Sequence, residues 1–135
     1  MNLSRAAAVA AAALLVLAAC ESAQVKEATR EVKSLFQGKG GEQDLSAGIR
    51  EYEEGNYREA ETRLQAALEA GLKAKGDQVK AHKYLAFTYC VTSREKPCRD
   101  EFRKALDVDP GFELTAAEAG HPIWGPVFRS VKGKK

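Results

Sequence analysis

Two stretches of twenty-one residues decide the fold: 48–68, GIREYEEGNYREAETRLQAAL, and 86–106, AFTYCVTSREKPCRDEFRKAL. Laid one over the other, Gly48, Ala60, Leu64, Ala67 and Leu68 fall on Ala86, Cys98, Phe102, Ala105 and Leu106, each pair 38 residues apart. A fixed period held over five positions marks an internal repeat, one supersecondary unit used twice. The small residues have a mechanical role. At Gly48, Ala60, Ala86 and Cys98 a bulky side chain would push paired helices apart, and overpacking costs about 1–3 kcal/mol. The expectation is an all-α fold of two helical hairpins over 44–111.

Within each copy the spacing resembles the tetratricopeptide repeat, a helix–turn–helix unit of about 34 residues. The second copy matches at Leu85-Ala86, Tyr89, Cys98 in the usual alanine place, Phe102, Ala105-Leu106 and the closing Pro110. The first matches at Gly48, Tyr52, Gly55, Ala60, Leu64 and Ala67-Leu68, with Leu72 in place of the closing proline and the spare residues in the linker 71–76. A nonspecific pair of helical hairpins is the plainer alternative. Local signals place the helix ends. Asn56 with Glu59 is a capping-box pattern, and Gly71 can close that helix. Asp77 suits an N-cap, Pro97 a first helical turn, and Asp109-Pro110-Gly111 a stop.

Two units are fewer than a repeat stack normally needs, so the flanks must cover the open faces. On one side, Val25, Ala28, Val32, Leu35 and Phe36 recur at helical spacing and predict an amphipathic helix over 23–37. A solvated tether is the alternative there, and Gly38-Lys39-Gly40-Gly41 reads as a flexible joint. On the other side, the segment 112–135 carries Phe112, Leu114, Ile123, Trp124 and Phe128. These read as a capping core first and a partner surface second. Thr115 with Glu118 predicts a capped turn, and Pro126 starts a last helix with Val127, Phe128 and Val131 on one side.

The beginning of the chain does not read as folded structure. A basic start, MNLSR, precedes an apolar run from Ala6 to Ala19, too short to cross the roughly 30 Å hydrocarbon core as a helix. Leu17-Ala18-Ala19-Cys20 resembles the bacterial lipobox, which implies cleavage before Cys20, its acylation, and a membrane tether through lipid. Residues 1–19 are then a lipoprotein signal peptide, and 20–43 the lipidated N-terminus, helix and linker. Glu21, rather than aspartate, follows the cysteine. By the same resemblance this favours the periplasmic leaflet of the outer membrane.

Of the 135 residues 44% are hydrophobic, 30% charged and 7% aromatic, and removing the leader leaves one small domain. A net charge of +2 gives no electrostatic reason to expect nucleic acid as a partner. Cys90 and Cys98 remain as an even pair flanking the turn of the second unit, and an oxidising compartment favours a structural disulfide. Two buried free thiols are the alternative. His82 and Cys90 are separated by about 12 Å of helical rise, so no close pair seeds a zinc site. His121-Pro122 reads as an N-cap or packing element. With no phosphate loop, nucleophile elbow or carboxylate pair in the sequence, the expectation is no catalytic residue, no metal and no cofactor. An unrecognised hydrolase using His82 or His121 is the outlying alternative.

What the repeat resemblance implies instead is a surface, because first helices of such units line a groove. Register places Leu45, Ile49 and Tyr52 of the first unit there, with Lys80, Lys83 and Phe87 of the second. An apolar patch beside two lysines would suit an amphipathic segment with an acidic end. Burial of Leu45, Ile49 and Phe87 under the 23–37 helix is the alternative. Longer stretches carry a closer likeness: Tyr52-Glu53-Glu54-Gly55-Asn56-Tyr57, His82-Lys83-Tyr84-Leu85-Ala86-Phe87, Cys98 to Leu106, and above all Glu118-Ala119-Gly120-His121-Pro122-Ile123-Trp124-Gly125-Pro126-Val127-Phe128-Arg129. Together with the lipobox these are similar to the tetratricopeptide lipoproteins associated with type VI secretion systems of Gram-negative bacteria. The resemblance implies an outer-membrane-anchored periplasmic accessory that docks an envelope protein, a component of the secretion machine, and it carries no ligand site with it. A lipoprotein of outer-membrane assembly or peptidoglycan-synthesis regulation is the alternative, using the same groove on another partner.

Overall fold

A computed structural model describes residues 40–133; the chain divides into two units, 1–37 and 38–135, and only the second falls among them. The signal peptide, Cys20 and the 23–37 helix lie outside the described residues. The described chain is all-α: α1 over 40–53, α2 Tyr57–Ala70, α3 Lys75–Val91, α4 Glu95–Val108, α5 Ala116–Ala119 and α6 Trp124–Lys132.

Helices α1 and α2 run antiparallel, with Gly48 opposite Leu64 and Gly41 opposite Ala67 and Gly71. A Cβ on Gly48 would lie 2.7 Å from Leu64 Cγ. Carbon atoms do not approach so closely, so any larger residue there must displace the buried Leu64 side chain or move α1 away from α2. Helices α3 and α4 form a second antiparallel pair, with Cys90 joined to Cys98 near the turn and His82 meeting Glu101 further along. Leu64 and Phe102, equivalent under the 38-residue offset, are both fully buried, at 0% exposure. The repeat therefore places the same core position in each hairpin.

The helix ends depart from expectation at two points. Asn56 precedes α2 but makes no side-chain cap; its amide donates instead to Glu51 Oε2 at 2.9 Å. The end of α1 has captured the side chain that would have started α2. Helix α3 begins at Lys75, ahead of Asp77, after an extended Ala74. Asp77 thus sits in the first turn, where a carboxylate faces the helix's positive end, and it pairs with Lys80. Pro97 lies in the first turn of α4, and Gly71 caps α2. Thr115 and Glu118 form a reciprocal capping box around α5.

The C-terminal segment folds back over the second hairpin. The Trp124 ring stacks on Phe87 at 4.3 Å and on His121 at 3.3 Å, and its indole N–H donates to the Glu118 carbonyl at 2.9 Å. Phe128 meets Phe102 and Phe112 edge-on at 5.2 and 5.5 Å. Leu114, Trp124 and Phe128 are buried, but Ile123, expected beside them, is 47% exposed. Helical rotation explains the difference: Trp124 takes the inward position, and its neighbour points about 100° away. At Gly125 a Cβ would collide with the Ala119 carbonyl, so glycine there lets α5 and α6 touch.

Candidate docking face

The six residues assigned to the groove do not share one environment. Leu45 and Phe87 are core residues, 4% and 2% exposed, and neither is available to a partner. Phe87 is enclosed because Trp124, Phe102, Tyr84 and Tyr52 surround its ring. Ile49 and Tyr52 are half-buried, and Lys80 is exposed beside Asp77 at 3.4 Å. Lys83 is not a free cation. Its ammonium donates to Glu118 Oε1 at 2.6 Å and lies 4.9 Å from the Tyr84 ring centroid.

Sequence reasoning missed two residues of this face. Tyr84 from α3 meets Tyr52 edge-on at 5.3 Å, and Tyr57 from α2 lies 5.7 Å from Tyr52. The three half-buried tyrosines form one continuous aromatic surface across α1, α2 and α3. No side chain among the described residues hydrogen-bonds their hydroxyls. Burial, with Tyr57, Tyr84 and Glu118 adding to it, pushes the Tyr52 phenol up to about 12. Burial likewise raises Tyr84, assisted by Glu53 and Glu118. Both phenols are therefore neutral donors at any physiological pH. The signal for Tyr84 was its place three residues before Phe87 on one helix face; Tyr57 opens α2 and had no periodic signal of its own.

Two ionic clusters brace the scaffold beneath. Burial disfavours the Glu101 charge, but His82 and Lys104 outweigh it and hold the carboxyl below its ordinary range. Ionised Glu101 can only accept, so His82 Nδ1–H donates to it across 2.7 Å. The Arg94 guanidinium bonds both Glu61 oxygens, at 3.2 and 2.7 Å, and covers the Tyr89 ring at 4.5 Å. Arg94's hydrogen bonds hold Glu61 below the usual carboxylate range. His121 accepts the Ile123 N–H and stacks on Trp124, so each histidine has a partner within the fold, His82 through Glu101 and His121 through Trp124.

Elsewhere a hollow of about 400 Å³ opens between the irregular 113–114 segment and α6, lined by Leu114, Ala119 and Phe128. Its cations already have partners, Lys132 on the Phe112 carbonyl and Glu113, Arg129 on the Ala119 carbonyl. Among the described residues no group of three His, Cys, Asp or Glu is placed to hold a metal ion, and no helix is long and apolar enough to cross a membrane. No protein-family model matches the chain, and no match was found among curated proteins or solved structures.

Proposed function

We propose that the protein is a lipid-anchored envelope lipoprotein that docks another protein through the α1–α3 face. The tyrosine surface carries this reading: large, rigid, amphipathic side chains bury area at low entropic cost, and here they sit on a fixed core. The 38-residue register and the Gly48–Leu64 approach support the two hairpins being tetratricopeptide-like units. The Cys90–Cys98 disulfide, at a Cα separation of 5.2 Å, fits the oxidising periplasm that the lipobox resemblance implies. The likeness to type VI secretion lipoproteins makes a component of that machine the preferred partner.

Membrane fractionation tests the anchor: Cys20→Ser should release the protein, and unchanged fractionation would defeat it. Crosslinking of the native protein in cells tests the partner. Recovery of a secretion-machine component is expected; recovery of barrel-assembly or cell-wall synthase proteins would replace that assignment.

A further inference from the structure

Resting on that docking reading, we propose that the α1–α3 face receives an arginine- or lysine-bearing segment of the partner, not the acidic one its two lysines suggest in sequence. The charge pairing of the folded chain reverses the expected polarity. Glu61 is paired with Arg94, Asp77 with Lys80, Glu101 with His82 and Lys104, and Glu118 with Lys83. Glu51, Glu53 and Glu54, at the end of α1 beside the tyrosines, have no ion-pair partner among the described residues. Over 50–59 Glu59 is paired with Arg63, and Arg50 and Arg58 have no ion-pair partner among the described residues, so three free carboxylates stand against two free guanidinium groups.

The aromatic surface has the same preference. Tyrosine faces attract a cation placed within about 6 Å of the ring. Lys83 already does this over Tyr84 and Phe87, at 4.9 and 5.6 Å. An incoming guanidinium finds the Tyr52 and Tyr57 rings together with the Glu53 carboxylate, and with the oxygens of Glu51 and Glu54 that the Asn56 amide does not hold, to receive its N–H groups. An acidic segment faces the opposite. It must take Lys83 from Glu118, a pair only 16% and 20% exposed, and approach Glu53 as it does so.

The test is residue-specific photo-crosslinking in cells, with p-benzoylphenylalanine placed in the full chain at Tyr57 or at Asp107, an exposed position on α4. The expected result is a crosslink from position 57 to a partner segment of net positive charge. Glu51→Gln, Glu53→Gln and Glu54→Gln together should lower its yield about fivefold, and added salt should shrink that difference. Glu53→Lys alone, at an exposed position that leaves the core untouched, should lower it at least as much. A neutral or net-negative segment, or yield unchanged by these variants, overturns the proposal. Crosslinks from position 107 only overturn it while leaving docking intact, and crosslinks from neither position defeat the docking reading itself.

Discussion

At the end of α1 the N–H of Gly55 reaches the Tyr52 carbonyl at 3.0 Å and that of Asn56 reaches Glu51 at 2.8 Å. At the end of α3 the N–H of Ser93 reaches Cys90 at 3.1 Å and that of Arg94 reaches Tyr89 at 2.8 Å. All four pairs of positions obey the 38-residue offset, so the two hairpins turn by the same left-handed closure. The materials differ. The first turn uses glycine at φ +83°; the second puts serine at φ +61°, a region costly for a residue with a Cβ. The second turn is also braced where the first is not, by the disulfide and by Arg94 on Glu61. One hairpin makes its turn by local chemistry, the other by crosslink and ion pair.

The largest expected effect separates the hairpins by their cores. Phe102→Ala should cost about 3–5 kcal/mol, because it strips contacts with Phe87 and with Phe128 of the C-terminal cap. Leu64→Ala, its counterpart, should cost less and leave Trp124 packed. Urea melts followed by tryptophan fluorescence and circular dichroism check this; equal losses with unchanged tryptophan signals would mean the cap does not depend on the second hairpin. Next is the crosslink. Cys90→Ala with Cys98→Ala should cost about 2.5 kcal/mol by freeing a short loop in the unfolded chain. A loss near zero would assign the turn's stability to Arg94 and Glu61 instead.

Glu101 gives a smaller, pH-marked difference, since the first hairpin has no comparably buried acid among its described residues. Its folded-state carboxyl titrates below its unfolded value, so its contribution is complete above the unfolded pKa and disappears as pH falls through the folded one. Glu101→Gln should therefore cost about 1.5 kcal/mol at neutral pH and progressively less on acidification. Chemical melts at several pH values check the convergence of the two proteins. A cost independent of pH would mean that shape, not charge, holds His82 and Lys104 in place.

What was legible in the sequence was whatever depends on residues close in sequence or repeated at a fixed offset. The hairpins, the glycine contact at 48 and the Thr115–Glu118 box all belong here. The charge pairing on the α1–α3 face was not legible: Lys83 is neutralised by Glu118, 35 residues further on and brought close only when the C-terminal segment folds back. The same folding buries Phe87 under Trp124, and no helix-face register could have indicated it. Ser93 was legible in principle, because the offset that relates Gly48 to Ala86 also relates Gly55 to Ser93.

That equivalence supplies the smallest and sharpest test. Ser93→Gly relieves a Cβ in the left-handed region but adds freedom to the unfolded chain, so a net gain of about 0.5–1 kcal/mol is expected. Gly55→Ala makes the reverse change in the first turn, where a Cβ would meet no neighbouring atom, so its cost of about 1 kcal/mol is purely conformational. Opposite signs of similar size would establish that the two turns share one backbone requirement. If Ser93→Gly gains nothing in the oxidised protein but does so in the Cys90→Ala, Cys98→Ala background, the crosslink, rather than the residue, fixes the left-handed geometry. The second hairpin then tolerates serine because Cys90 and Cys98 close the turn around it.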